Sequence, residues 1–99
     1  CWYDVGHAYV NDVLGVERHT VMLDTMKDRL LGTHIHDAMA DWTVDPGKTD
    51  HRAPPGGLVD FVAAKSVLPD DVLRVIELRK EVTREEVVRG VRYLESIEF

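Results

Sequence analysis

The hydrophobic and polar positions of this chain repeat a strand-then-helix pattern three times, most clearly in the last third. Apolar residues dominate Val72 to Leu78, as in a buried strand, and a helix is predicted from Thr83 to about Ile97. Thr83 and Glu86 have the spacing of a capping box at the start of that helix. Its apolar face recurs at i, i+4 and i+7 and consists of Val87, Val91 and Leu94.

The first two repeats are less regular. An aromatic and apolar run from Cys1 to Ala8 provides the first strand, and a helical segment from about Arg18 to Leu30 follows it. The second strand is predicted at Leu31 to Asp37, and the second helix near Asp60 to Val67, with Asp60 as its N-cap and Pro69 just beyond its end. Three successive strand-helix units predict an α/β fold with parallel strands and crossover helices packed outside.

An ionisable residue lies near the C-terminal end of each predicted strand: Asp4, His34 and Glu77. Ligands bind at the C-terminal strand ends of parallel α/β sheets and barrels. Carboxylate and imidazole groups together suit Mn, Mg, Co or Zn, and one further carboxylate would complete a four-ligand site. The sequence therefore predicts a divalent metal site, although it offers no fourth strand end.

Three further histidines, His7, His36 and His51, are candidates to donate to a substrate oxygen or to hold a second metal. The alternative for any one of them is a hydrogen-bonded structural role. His51 lies in a long segment, Ala38 to Gly57, that holds two turn signals, Asp45-Pro46-Gly47 and Pro54-Pro55-Gly56-Gly57. Such a loop is usually functional or disordered. We expect either a lid, with Trp42, His51 and Arg52 as its contacts, or an insertion without a role.

The 99 residues contain twelve Lys and Arg against eighteen Asp and Glu, a formal charge of −6. Nucleic acid is disfavoured as a partner because no stretch forms a basic patch. No apolar run approaches the roughly 20 residues of a membrane span, so we expect one soluble, cytoplasmic domain. The single cysteine, Cys1, excludes an internal disulfide. It stands where Met would be expected, so a fragment of a longer protein is one expectation.

Four short motifs resemble those of the xylose isomerase-like barrel superfamily, and they occur in the family's order. They are Asp4-Val5-Gly6-His7-Ala8, His34-Ile35-His36-Asp37, Pro54-Pro55-Gly56-Gly57-Leu58-Val59-Asp60-Phe61 and Val75-Ile76-Glu77. This superfamily holds sugar and sugar-phosphate isomerases and epimerases, hydroxypyruvate isomerase, inosose dehydratase and endonuclease IV. The chain departs from the third motif at Pro55, where the family has Gly, and at Gly56, where it often has Glu.

The resemblance implies that residues 1–99 are the C-terminal three of the eight strand-helix units of a (β/α)8 TIM barrel. It also implies that Asp4, His34 and Glu77 bind the metal and that Glu77 acts as an acid or base. His7 matches a substrate-binding position of the sugar enzymes and a second-zinc ligand of endonuclease IV. His51 is close to another zinc histidine of that enzyme, while Asp50 is displaced by one place from its aspartate. The family's remaining metal-binding glutamate would lie upstream.

The resemblance thus implies a metal-dependent isomerase or epimerase acting on a small sugar or sugar phosphate through an enediolate. An endonuclease IV-like zinc phosphodiesterase is the rival activity, against which the net charge of −6 counts. A third possibility is that the chain alone is no enzyme, because three strands cannot close a barrel. Such a fragment would hold metal weakly, or assemble with copies of itself or with a complementary piece.

Overall fold

The computed structural model describes residues 1–39 and 49–99, which fold as α/β around a three-stranded parallel sheet. The strands are in the order β1-β2-β3, and Asp4 is paired with His34, which is paired in turn with Val75. This confirms the predicted class and strand direction. The elements are β1 (Trp2–Asp4), α1 (Val5–Val13), α2 (His19–Met26), β2 (Gly32–Ile35), α3 (Phe61–Val67), β3 (Leu73–Ile76) and α4 (Arg84–Ser96).

The first strand is shorter than the aromatic and apolar run suggested. It ends at Asp4, and α1 begins at Val5, so the strand prediction is wrong from Val5 to Ala8. The reason is local, because Asp4 Oδ1 accepts a hydrogen bond of 2.8 Å from His7 N and caps the helix. This turn places Asp4 and His7 together at the C-terminal end of the sheet.

The later boundaries agree better with the pattern. The helix predicted from Arg18 to Leu30 is α2 followed by a 3₁₀ turn at Lys27–Arg29. Asp60 is the N-cap of α3, since Asp60 Oδ1 accepts from Ala63 N at 2.9 Å. Thr83 and Glu86 form the predicted capping box at the start of α4.

One face of the sheet is covered by the helices and forms the hydrophobic core. Its buried apolar residues are Tyr3, Val5, Ala8, Leu23, Ile35, Val59, Phe61, Ala64, Leu68 and Leu94. Met22, Met26 and Leu30 pack against this core from α2 and the turn after it. The core therefore holds the three strands in register, which fixes the positions of their C-terminal ends.

The opposite face of the sheet is open. Trp2 and Val75 are each 43% exposed on it, and Leu73 is 63% exposed. Within the described residues β1 and β3 each pair with β2 alone, so both outer edges are unpaired.

The outer surface of α4 is charged. Its exposed residues include Arg84, Glu85, Arg89 and Arg92. Across residues 1–39 and 49–99, no helix has both the length and the apolar character needed to cross a membrane.

Candidate metal centre

The C-terminal ends of the three strands bring Asp4, His34 and Glu77 together, as the sequence predicts. His34 Nδ1 lies 3.4 Å from Glu77 Oε2 and 3.9 Å from Asp4 Oδ2. The parallel register places Asp4 beside His34, and Glu77 follows the last paired residue of β3. Glu77 N donates to Ile35 O at 3.1 Å, which extends the ladder as far as this residue.

This group has the chemistry and the spacing of a divalent cation site. Two carboxylates and one imidazole offer ligand atoms that all lie within 4.8 Å of one another. Ligands that bind at about 2.0–2.2 Å around one ion are separated by about 3–3.5 Å, so a small contraction suffices. Oxygen and nitrogen donors suit Zn, Mn or Co. The Glu77 side chain is 49% exposed, so the group is open to solvent.

Asp4 is held in one orientation by two donors on the same oxygen. Oδ1 accepts from His36 Nε2 and from His7 N, both at 2.8 Å, and Oδ2 faces His34. Partial burial is the largest single effect and opposes ionisation, but the hydrogen bonds from His36 and His7 and the charges of these two residues together outweigh it and lower the pKa of Asp4. A fixed, ionised carboxylate is the form that a cation needs.

His36, predicted to bind substrate, lies behind Asp4 with its side chain fully buried. Its Nδ1 accepts a hydrogen bond from His51 N at 3.0 Å. The proton of the neutral ring is therefore on Nε2, which faces Asp4. Burial disfavours the charged ring, yet the bond to Asp4 raises the pKa of His36 overall. When charged, the ring would donate from Nδ1 to the Asp37 carbonyl oxygen, 3.2 Å away. Substrate binding by His36 stays a prediction, whereas its contact with Asp4 is direct.

His7 and His51 form a second group beside the first. His7 Nδ1 lies 3.2 Å from Asp4 Oδ2, and His7 Nε2 lies 3.0 Å from Asp50 Oδ2. His51 stacks on His36 with ring centroids 4.0 Å apart, and its Nε2 lies 3.8 Å from Asp50 Oδ2. The ring nitrogens of His7, His36 and His51 are close enough for a cation. Both ring nitrogens of His36 and of His7 already contact other polar groups, so a cation bound here would displace some of these contacts.

Asp50 was named from the resemblance only as displaced by one place, and it was not predicted as a site residue. Its signal was present, since it directly precedes His51, but its partner His7 is 43 residues away. Arg79 Nη2 donates to Asp50 Oδ1 at 2.9 Å, so the carboxylate is bound on both oxygens. Burial disfavours the charge, and the bond from His7 leads the effects that lower the pKa of Asp50.

Part of the segment predicted to be either a lid or an insertion without a role lies in this site. Residues 37 and 52 form an antiparallel bridge, with hydrogen bonds of 2.8 and 2.9 Å, which brings His51 to the end of the sheet. Asp37 is buried and anchors the motif from Pro54 to Phe61, which we call the glycine-rich motif. Its carboxylate accepts from Ala38 N, Val59 N and Gly57 N at 2.9, 3.0 and 2.8 Å. Trp42 and the turn signal Asp45-Pro46-Gly47 lie outside the described residues.

The Trp2 indole packs against the His34 ring. Their rings stack with centroids 4.9 Å apart and an angle of 23° between their planes. A Cβ at Gly32 would come within 2.5 Å of the indole, so this glycine leaves room for Trp2. The indole therefore restricts the rotation of the His34 ring.

A scan against protein-family models and searches of curated proteins and of solved structures find no match to this chain. The resemblance to the xylose isomerase-like superfamily therefore depends on the four motifs.

Proposed function

We propose that this chain provides most of the metal site of a divalent-cation-dependent isomerase or epimerase for a sugar or sugar phosphate. The observation that supports it best is the meeting of Asp4, His34 and Glu77 at adjacent C-terminal strand ends. A structural role for all three groups is the weaker explanation, because the Glu77 side chain is 49% exposed and contributes little to a core.

The chemistry follows from what each side chain offers. A divalent cation, when bound, would supply positive charge that acidifies the C–H beside a substrate carbonyl and stabilises the resulting enediolate. Glu77 is the most exposed carboxylate of the group, so we assign it the proton transfer. Substrate binding by His7 and His51 stays a prediction; because His51 Nδ1 donates to the Glu77 carbonyl oxygen, His51 Nε2 would accept a hydrogen bond from a substrate hydroxyl.

We propose further that these strand-helix units are the C-terminal part of a TIM barrel. The open sheet face supports this, because Trp2, Leu73 and Val75 would be covered inside a closed barrel. The two unpaired edges support it as well, since a closed barrel leaves no strand edge exposed. A carboxylate from the remaining barrel would complete the ligand set. A cytoplasmic location stays a prediction.

The test follows solvent deuterium into the substrate. The protein, as its gene encodes it, is incubated in D₂O with Mn²⁺ or Co²⁺ and a panel of ketoses and ketose phosphates, and NMR monitors exchange at the carbon beside the carbonyl. We expect exchange that EDTA abolishes and that Glu77→Gln slows by about 10²–10⁴-fold. The control Glu85→Gln, on the exposed face of α4, should leave the rate unchanged. Absence of exchange with every sugar, with no effect of Glu77→Gln, would reject the proposal.

One observation favours the endonuclease IV-like alternative: the ring nitrogens of His7, His36 and His51 form a second ligand-capable group beside the first. Several metal ions in one site are typical of phosphodiester hydrolysis. Zn²⁺-dependent cleavage of DNA at abasic sites, without sugar exchange, would support this activity instead. A chain that sediments as a stable homo-oligomer or as an unfolded monomer, and binds no Mn²⁺, would favour the non-catalytic fragment.

A further inference from the structure

Four hydrogen bonds fasten the segment after β3 to the segment that carries Asp50 and His51. Arg79 N donates to His51 O at 3.0 Å, and His51 Nδ1 donates to the Glu77 carbonyl oxygen at 3.1 Å. The Arg79 guanidinium makes the other two, from Nε to Asp50 O at 3.0 Å and from Nη2 to Asp50 Oδ1 at 2.9 Å. We call these four bonds the Arg79 clasp.

The clasp holds a strained piece of backbone. His51 has φ of 52°, in the left-handed region that non-glycine residues rarely adopt. Such a conformation persists only where the surrounding contacts determine it. The bonds to Arg79 and Glu77 are such contacts, and the planar guanidinium fork fixes direction as well as charge.

The clasp is connected to the candidate metal centre through a continuous series of contacts. Arg79 holds one oxygen of Asp50, and the other oxygen lies 3.0 Å from His7 Nε2. On its other side the His7 ring lies 3.2 Å from Asp4 Oδ2, the oxygen that faces His34. An orientation imposed on Asp50 therefore extends to the oxygen of Asp4 that would bind a cation.

We propose that Arg79 is a positioning residue of this site, acting through Asp50 on His7 and Asp4. The part of this inference that concerns metal binding rests on the proposed function. The positioning of His7 and Asp4 can be measured without metal. Arg79 offers no ligand atom, since a guanidinium has donors only. Its effect is to fix the groups that do.

The first test follows the histidine ring nitrogens by NMR in metal-free protein. We expect Arg79→Gln to shift the ring signals of His7 and His51, while those of His19, which is paired with Asp12, stay in place. Arg79→Lys, which keeps the charge without the fork, should shift them in the same direction by less. The control Arg92→Gln removes an exposed arginine of α4 and should change neither ring.

Unchanged His7 signals in both Arg79 variants would overturn the proposal, and so would equal shifts in Arg92→Gln. If Arg79→Gln does not fold, Arg79→Lys decides alone: a shift confined to His7 and His51 supports positioning, and none contradicts it.

The second test asks whether Arg79 acts through Asp50, by titrating Co²⁺ alone into four proteins. These are the wild type, Arg79→Gln, Asp50→Asn and the double variant. Loss of a partner that orients a ligand typically costs 10–100-fold in metal affinity, so we expect at least a 10-fold loss for each single variant. The double variant should lose no more Co²⁺ affinity than Asp50→Asn does. If Arg79 acts only through Asp50, its replacement has no further effect once Asp50 has been replaced. Full multiplication of the two losses would contradict the proposal. Absence of Co²⁺ binding in the wild type would count against the proposed function, and the ring signals would still decide the role of Arg79.

Discussion

His36 Nε2 lies 2.8 Å from Asp4 Oδ1, and the His36 side chain is fully buried against the first turn of α1. A Cβ at Gly6 would come within 2.1 Å of the His36 ring, so the ring occupies the space that this glycine leaves. Asp4 is thereby held with Oδ2 toward His34. Carboxylates that bind a metal are themselves held by hydrogen bonds from neighbouring groups, and such partners orient the ligand.

Replacement of His36 by Gln should weaken metal binding although His36 binds no metal itself. The glutamine amide can still donate to Asp4 but lacks the rigid, buried imidazole ring, so Oδ1 is oriented less firmly and we expect about a 10-fold loss of Co²⁺ affinity. Isothermal titration measures it. The matched control is His19→Gln, because His19 also pairs with an aspartate, Asp12 at 2.7 Å, outside the site. Equal affinities of His36→Gln and the wild type would contradict the orienting role.

Gly6→Ala should destabilise the protein, against the usual preference for Ala in a helix. Helix propensity alone favours Ala by about 1 kcal/mol, but overpacking against the clamped His36 ring costs about 1–3 kcal/mol. Urea unfolding measures the difference. The same substitution in a His36→Ala background removes the clash and should be neutral or stabilising. Destabilisation of equal size in both backgrounds would show that the ring is not the cause.

The bond between His36 and Asp4 gives the metal-free protein a defined pH dependence. The pKa of His36 is raised above 6.5. Its contribution to the free energy of unfolding is therefore full below pH 6.5 and is lost as the pH rises through the folded-state pKa. The pKa of Asp4 is lowered below 3.8, so its contribution is full above that pH and is lost as pH falls through the folded-state pKa. We expect both contributions in full between these two values.

Chemical denaturation from pH 3 to 9, with EDTA present, measures this dependence. The wild type should lose stability as the pH rises from 6 to 9, and His36→Gln should lose much less over the same range. Parallel curves for the two proteins would show that another group is responsible.

Asp37→Asn should destabilise the glycine-rich motif strongly. The buried carboxylate accepts from three backbone N–H groups, and an amide presents its own N–H₂ to at least one of them. Hydrogen bonds to a charged group contribute about 1.5–3 kcal/mol, so we expect a loss of about 2–4 kcal/mol in unfolding free energy. Asp70→Asn, at an exposed aspartate before β3, is the control and should be silent. A loss below about 0.5 kcal/mol for Asp37→Asn would refute the anchoring role.

The sequence pattern was sufficient for the strands and their direction, because strand-helix alternation leaves few topologies. It also placed Asp4, His34 and Glu77 together, since parallel strands end at one edge of the sheet. It did not predict α1, because the aromatic and apolar run was interpreted as a strand. Asp4, the N-cap of this helix, accepts a hydrogen bond from His7 N within that run. Capping is decided by one side chain, so periodicity cannot detect it.

The second group was less accessible to sequence reasoning. His51 was selected as a histidine, but its meeting with His7 depends on the bridge between residues 37 and 52 and on a left-handed backbone conformation. The roles of Asp50 and Arg79 depend on contacts 43 and 29 residues apart along the chain. The spacing of residues within a short motif gives no information about contacts between residues so far apart in the sequence.

The central claim is that Asp4, His34 and Glu77 bind one divalent cation, and titration calorimetry with Mn²⁺ and Co²⁺ tests it most directly. Asp4→Asn is the informative variant, because asparagine still caps α1 while its amide is a poorer ligand than a carboxylate. We predict one ion bound in the wild type and at least a 10-fold loss of affinity in Asp4→Asn, His34→Gln and Glu77→Gln, with all three variants still folded in EDTA. Binding of equal affinity in the wild type and all three variants would contradict the account.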